Sequence, residues 1–251
     1  MKQISVIVIT FNEEANLARC LDSVKTFASE IVVVDSESSD GTRAIAARYT
    51  DRVLVEPWRG YGPQKQFALE QARCPWVFSI DADEQVSPEL AREITALDGS
   101  GDGYRVPRVV WYLNRWIRHG VWVPDPVLRL FRRDGARFTL ESVHERVVLA
   151  GGVGRLRGAL HHYSYRDIAH HLAKMNEMAS LAARQMADRG QRADWVRLGL
   201  QPGWEFLRAY LFKGGCLDGA AGFIVAALHA HYTFLKYARL YEQTVSRRSD
   251  R

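Results

Sequence analysis

The chain has 251 residues, 47% hydrophobic and 25% charged, enough for one large globular domain or one domain with an appendage. That composition excludes a disordered protein, apart from the apolar-free end Ser246 to Arg251. A net charge of +5 and a pI near 9.2 call for an anionic partner such as a nucleotide, a membrane surface or an acidic glycolipid. The charge would also admit nucleic acid, but no nucleic-acid motif supports it and none is expected as a partner. The three cysteines, Cys20, Cys74 and Cys216, form neither a disulfide framework nor a zinc spacing, which points to a reducing compartment.

From the start, Met1-Lys2-Gln3 leads straight into the β-branched run Ile4 to Ile9. No signal peptide is expected, and the body is expected in the cytoplasm. Such a run fits a strand buried on both faces of a parallel sheet. Asn12-Glu13-Glu14 offers a helix cap, with Leu17, Leu21, Val24 and Ala28 following at helical spacing. Ile31 to Val34 is a second buried strand, ending at Asp35. A polar turn, Ser36 to Gly41, leads to a helix at about 42–48. Val53 to Val55 is a third strand, Gln64 to Ala72 a helix, Trp76 to Ile80 a fourth strand, and Pro88 opens a helix to about Leu97. Strands alternating with helices of this length imply right-handed crossovers and a doubly wound, mainly parallel sheet.

After about residue 102 the pattern changes. Tyr104–Tyr112, Leu128–Phe131 and Val143–Leu149 read as strands joined by loops, with Trp111, Trp116 and Trp122 among them. Arg166 to about Arg189 is helical, with Ile168, Leu172, Met175 and Ala179 on one stripe. A further helical region, about 194–243, is broken at Pro202-Gly203 and Gly214-Gly215. Gly219 to Leu235 carries no charged residue but is marginal in length for a membrane span. Flanking Arg208, Lys213, Lys236 and Arg239, with many aromatics, suit helices lying in a membrane interface; a buried helical hairpin or a dimer face is the plainer reading. The expected division is 1–102 for an α/β half, 103–165 for the strand-rich part of the same domain, and 166–251 for a helical, membrane-surface region.

The fourth strand opens into Asp81-Ala82-Asp83-Glu84. Three carboxylates in four positions repel one another unless a positive group sits among them, and a divalent cation is the simplest one. A solvated loop capping the helix at Ser87-Pro88 is the alternative. Thr10-Phe11-Asn12-Glu13-Glu14 and Asp35-Ser36-x-Ser38-x-Asp40-Gly41-Thr42 also close strands, and open α/β sheets bind ligands at those carboxyl ends.

Together these three motifs resemble the family 2 inverting glycosyltransferases of GT-A fold, over roughly residues 3–150. Tyr61-Gly62-Pro63-Gln64-Lys65-Gln66, Val143-His144-Glu145 and Phe212-Lys213-Gly214-Gly215-x-x-Asp218-Gly219-x-x-Gly222-Phe223 are similar to bacterial lipopolysaccharide core β-1,4-glucosyltransferases. The resemblance implies an α/β GT-A domain followed by helices, and a UDP-sugar donor. Asp35 would accept the uracil imide N–H, and Thr10 with Glu13, or Glu14, would cradle base and ribose. Asp81 would face the ribose or the metal, and Asp83 would bind the Mn²⁺ or Mg²⁺ that bridges the diphosphate. Lys65 would add a cation near the phosphates unless it is an exposed helix lysine. Arg129, alternating with apolar residues, would face the diphosphate or an anionic acceptor.

Inverting transfer needs a base for the acceptor hydroxyl. Relatives often use a Glu-Asp pair, which is missing here, so Glu145 is the expected base, with Glu141 as the alternative. His144 is either a ligand near the cation or a hydrogen-bonded structural histidine. The pairs His161-His162 and His170-His171 do not read as metal sites, because adjacent strand residues point to opposite faces.

The implied reaction moves glucose from UDP-glucose to the inner core of a lipopolysaccharide precursor, at the inner face of the bacterial inner membrane. A polyprenyl-phosphate or exopolysaccharide sugar transferase is the alternative. A catalytically silent nucleotide-sensing or membrane-scaffold domain is the alternative of another class. A processive synthase is disfavoured by the absence of Gln-x-x-Arg-Trp, and a dinucleotide oxidoreductase by the absence of Gly-x-Gly-x-x-Gly after the first strand.

Overall fold

The protein is described by a computed structural model covering residues 3–139 and 145–249. In chain order its elements are β1 (Ile4–Thr10), α1 (Leu17–Val24), β2 (Glu30–Asp35), α2 (Thr42–Ala46), β3 (Val53–Val55), α3 (Tyr61–Gln71), β4 (Trp76–Asp81), β5 (Glu84–Val86), α4 (Pro88–Ala96), β6 (Gly103–Tyr112) and β7 (Arg115–Ile117). There follow β8 (Pro126–Arg132), β9 (Arg137–Phe138), β10 (Val147–Val148), β11 (Val153–Arg155), β12 (Leu160–His162), α5 (Ile168–Asp188), α6 (Trp195–Gly199), α7 (Gln201–Leu207), a π turn (Arg208–Phe212), a 3₁₀ turn (Gly215–Asp218) and α8 (Gly219–Ser249). Two compact units result: Met1–Val109 with Asp125–Tyr163, and Val110–Pro124 with Ser164–Arg251.

In the first unit the strands run β3-β2-β1-β4-β8-β6-β12-β5. β1 pairs in parallel with β2 and β4, and β2 with β3, while β8 joins β4 and β6 antiparallel. The sheet is therefore mixed, with a parallel half, β3-β2-β1-β4, and a mostly antiparallel remainder where a mainly parallel sheet was expected, and with its flanking helices it is of the expected GT-A class. Period-two alternation divides the apolar residues between its faces. Ile4, Val6 and Val8 pack with Leu17, Leu21 and Val24 of α1, and Ile7, Val32, Val34 and Val77 pack with Ala68 and Leu69 of α3. Both faces of the central strands are therefore buried, which is why those strands read as unbroken apolar runs.

Three local expectations change. Asn12 does not cap α1; it takes a left-handed φ of 53°, and its side-chain oxygen accepts the Ser39 N–H. Glu84 does not sit in an open acidic turn, because it begins β5, which pairs antiparallel with β12 in the register Glu84↔His162. In α5 the buried stripe is His171, Met175, Ala179, Ala183 and Ala187; Met175 and Ala179 lie on it as expected, but Ile168 and Leu172 are exposed and His171 stands in the first turn instead. The expected strand at Val143–Leu149 begins outside the described residues, whose share of it is β10.

In the second unit α8 packs along α5 and α7. Its charge-free stretch supplies buried Ala221, Val225 and Ala226. Among the described residues no single helix is long and apolar enough to cross a membrane.

Candidate active site

The carboxyl edge of the parallel strands is brought into line by register alone. Thr10 lies opposite Asp35, and Ile9 lies opposite Asp81. The loops after β1 and β2 are then stitched together. Ser38 Oγ accepts the Asn12 N–H (2.8 Å) and donates to Asp35 Oδ2 (2.5 Å), while the Ser38 N–H donates to Asp35 Oδ1 (2.9 Å). Thr42 Oγ1 accepts the Glu13 N–H (2.8 Å), and Glu14 Oε2 accepts the Gly41 N–H (2.8 Å). Every polar residue of the Asp35–Thr42 motif named here thus shapes one cradle. Inside it the Thr10 hydroxyl is buried with no hydrogen-bond partner among the described residues. An unsatisfied buried hydroxyl costs about 1–3 kcal/mol, a cost that a polar ligand reaching it would relieve.

The hexapeptide opening α3 reaches into the same region. Gly60, at φ 100°, turns the chain into the helix, a conformation that favours glycine. Gln64 Nε2 donates to Ser36 Oγ (3.1 Å) and to the Glu56 carbonyl (3.0 Å), holding the helix against the β2 loop. Lys65 is not an exposed helix lysine. It is buried, and its Nζ lies 2.8 Å from Asp81 Oδ1 and 2.7 Å from Glu145 Oε1.

Arg129, on β8, extends the network. Its Nη2 donates at 2.6 Å to both Asp81 Oδ2 and Glu84 Oε1, while its buried Nε has no partner among the described residues. Glu84 also accepts the Asp81 N–H (3.0 Å) and lies 3.5 Å from Arg108, which pairs with Asp125. The positive groups among the clustered carboxylates are therefore the chain's own. Burial opposes ionisation of Asp81, yet Arg129 and then Lys65 outweigh it and hold that carboxyl well below the usual range. Burial likewise opposes the charge on Lys65, but Asp81, with Glu145, keeps its pKa above the ordinary value. Both groups are charged at neutral pH.

Asp83, just past β4, presents Oδ2 3.2 Å from His162 Nε2. A carboxylate beside an imidazole is a donor set suited to a divalent ion such as Mn²⁺, and Mg²⁺ is commonly held by one or two carboxylates plus substrate phosphates. Among the described residues no three His, Cys, Asp or Glu side chains are grouped to hold an ion alone, so phosphates and water would complete its shell. The residues fit a cation that arrives with a nucleotide diphosphate. Asp81, tied to two cationic side chains, is less available to it than Asp83.

Thr10, Asp35, Lys65, Asp81, Arg129 and Glu145 thus meet at one edge, with Glu13 on the stitched loop and Asp83 beyond β4. Glu141 and His144 lie outside the described residues. Glu84, Arg108 and His162 are additions; Glu84 stood in view within the acidic run, whereas His162 comes to Asp83 across 79 positions, with no local signal.

The glycosyl transferase family 2 model matches residues 5–147, a span that holds all of these residues except His162. The lipopolysaccharide core biosynthesis glycosyltransferase LpsC of Rhizobium meliloti (strain 1021) is 39% identical, over 96% of this chain and 92% of its own. Among solved structures, Staphylococcus aureus TarS 1–349 in complex with UDP-GlcNAc is 16% identical, over 97% of this chain and 92% of that one, with a TM-score of 0.49. Glucosyl-3-phosphoglycerate synthase from Mycobacterium tuberculosis, in complex with Mn²⁺ and UDP-glucose, is 27% identical over 44% of each chain, with a TM-score of 0.36. The matched span, the near full-length relative and the ordered site motifs agree, and the chain belongs to glycosyl transferase family 2.

Proposed function

We propose that this enzyme transfers a hexose, glucose from UDP-glucose, to the phosphorylated inner core of a lipopolysaccharide precursor, with inversion, at the cytoplasmic face of the bacterial inner membrane. The acceptor class is taken from the name of the Rhizobium relative. The observation that carries the donor side is the row Thr10, Asp35 and Asp81 at adjacent strand ends, beside the buried Lys65 and Arg129.

Asp35 retains lone pairs beyond those used by Ser38, and one would accept the uracil imide N–H, a donor that cytosine lacks. The Thr10 hydroxyl and the Glu13 loop would take base and ribose. A divalent cation held through Asp83, with Asp81 and His162 beside it, would supply positive charge to the diphosphate. Lys65 and Arg129, both paired with Asp81 at the end of β4, would offset charge on the departing UDP. In the transfer the acceptor oxygen forms its bond to the anomeric carbon as the bond from that carbon to the β-phosphate oxygen breaks. UDP leaves with the electron pair, and the acceptor proton passes to Glu145. The Lys65 contact at Glu145 Oε1 fixes the carboxylate and leaves Oε2 for that proton.

The test is calorimetric titration of UDP-glucose, UDP-galactose, UDP-GlcNAc, GDP-mannose and ADP-heptose, with and without Mn²⁺. UDP-sugar binding that requires the metal and is lost in Asp83→Ala is expected. Unchanged metal-dependent binding in that variant would remove the donor-site assignment, and a preference for GDP-mannose or ADP-heptose would remove the uridine assignment.

A further inference from the structure

A soluble helical unit turns its apolar stripes inward, because burial of apolar surface drives helix packing. The segment from Trp195 to Phe212 does the reverse. Val196, Leu200, Trp204, Leu207 and Leu211 recur at helical spacing, and all are exposed, Leu200 to 71%. Trp195, at 83% exposed, opens the same segment. Phe212, at 72% exposed, is drawn toward Trp204 with ring centroids 5.7 Å apart, and Leu217 beyond the bend is 71% exposed.

The inward face is already satisfied. Phe206 and Tyr210 pack on Phe223, Ala209 is buried, and Glu205 pairs with Arg208 and lies 3.3 Å from His229. The outward stripe is therefore not a displaced core. Monomeric soluble proteins seldom expose contiguous apolar surface of this kind without a partner for it.

Charge selects the partner. The one acidic residue between Trp195 and Leu217 is Glu205, which faces inward, against Arg197, Arg208 and Lys213. At the bend, exposed Arg118 and Lys213 are held beside the stripe: the Arg118 N–H donates to Asp218 Oδ2, and the Gly120 N–H donates to the Lys213 carbonyl. Exposed Arg192 borders the other end, where the nearer Asp194 is engaged as the cap of α6, accepting the Arg197 N–H. A second copy docked stripe to stripe would set these cations against one another with no facing carboxylate from the segment. An anionic bilayer complements both features, taking the apolar stripe and tryptophans at the headgroup level and the cations at the phosphates.

We infer that Trp195–Leu217 is an interfacial anchor that lies in the plane of an anionic membrane, with the Val196–Leu211 stripe facing the acyl chains. This deepens the membrane-surface part of the proposed function. It assigns contact first to this short bent segment; in the longer charge-free stretch of α8, Ala221, Val225 and Ala226 are buried, and the exposed large apolar side chains are only Phe223 and Phe234, set apart along the helix.

The full chain would be mixed with vesicles of phosphatidylcholine alone, or with phosphatidylglycerol added. Binding is read by flotation and by quenching of tryptophan emission with brominated lipid, and UDP titration with Mn²⁺ is run on the same samples. Binding to the anionic vesicles is expected, and Leu200→Gln/Leu211→Gln is expected to weaken it about tenfold or more, with circular dichroism and UDP titration unchanged. The exposed pair Ile168→Gln/Leu172→Gln on α5 serves as control and should bind as the parent does. Absence of vesicle binding by the parent chain would overturn the inference, as would equal binding by the Leu200/Leu211 variant. A concentration-dependent dimer in light scattering, abolished by the same pair without vesicle binding, would assign the stripe to a second copy instead. The UDP titration separates these outcomes from failure of the donor-site assignment.

Discussion

Lys65 connects the carboxylate at the end of β4 with the expected base, and both contacts are made from a buried position. Removing one partner from such a network leaves charges uncompensated, at a cost of roughly 3–5 kcal/mol. Glu145→Gln is milder, because the amide oxygen can still accept from Lys65 while the basicity is gone. It is expected to lower kcat by about 10²–10⁴-fold and leave donor KM nearly unchanged. Steady-state kinetics would check this, and undiminished kcat would move the base to Glu141. Thr10, Asp35, Asp81 and Asp83 were legible in the sequence because each ends, or just follows, an apolar strand. Lys65 was ambiguous there: α3 has no clear apolar stripe, and only tertiary packing shows that its lysine is buried. His162 was not legible as a partner of Asp83, since the pairing of β5 with β12 leaves no periodic trace in either three-residue strand.

At the scale of elements, the tail motif has a physical explanation in the second unit. A Cβ at Gly222 would lie 1.8 Å from the Gly215 carbonyl oxygen, so only glycine allows α8 to approach the preceding turn this closely. Asp218, between them, accepts from the Arg118 and His119 N–H groups at 3.0 and 2.8 Å and lies 3.1 Å from His119 Nδ1. It clasps the chain after β7 to the start of α8. Asp218→Ala strands two backbone donors and should destabilise the unit by about 2–4 kcal/mol. Asp218→Asn, which can still accept, should lose less. Urea unfolding of the two variants would measure the difference, and an alanine variant as stable as the parent would show that the clasp is not required. The motif was visible as spaced glycines around one aspartate, but its partner, about a hundred residues upstream, was not.

For the whole molecule, buried histidines decide how stability follows pH. Burial, reinforced by Lys174 and His170, lowers the His171 pKa from the ordinary 6.5 to about 4. His161 and His229 are lowered as well, again chiefly by burial. A histidine held neutral in the fold binds fewer protons than in the unfolded chain between those two values, so stability rises with pH there. The His171 contribution is fully present above about pH 6.5, declines as pH falls, and is exhausted near pH 4, amounting to at most ~3 kcal/mol. Asp81 acts in the same direction but lower on the scale, because its stabilisation is lost only as pH falls through a value well under the ordinary carboxylate range. Between pH 6.5 and 4 the thermal midpoint should therefore fall mainly through the histidines. His171→Phe fills a similar space but leaves the Tyr112 hydroxyl, now 3.0 Å from His171 Nδ1, without that contact. It should cost about 1 kcal/mol at pH 7.5 and yet lose less on acidification, so that the two stability profiles cross at about pH 6 and the variant is the more stable protein below it. Calorimetric melts of both proteins across that range would show it, and parallel pH profiles would mean that His171 does not carry the acid sensitivity.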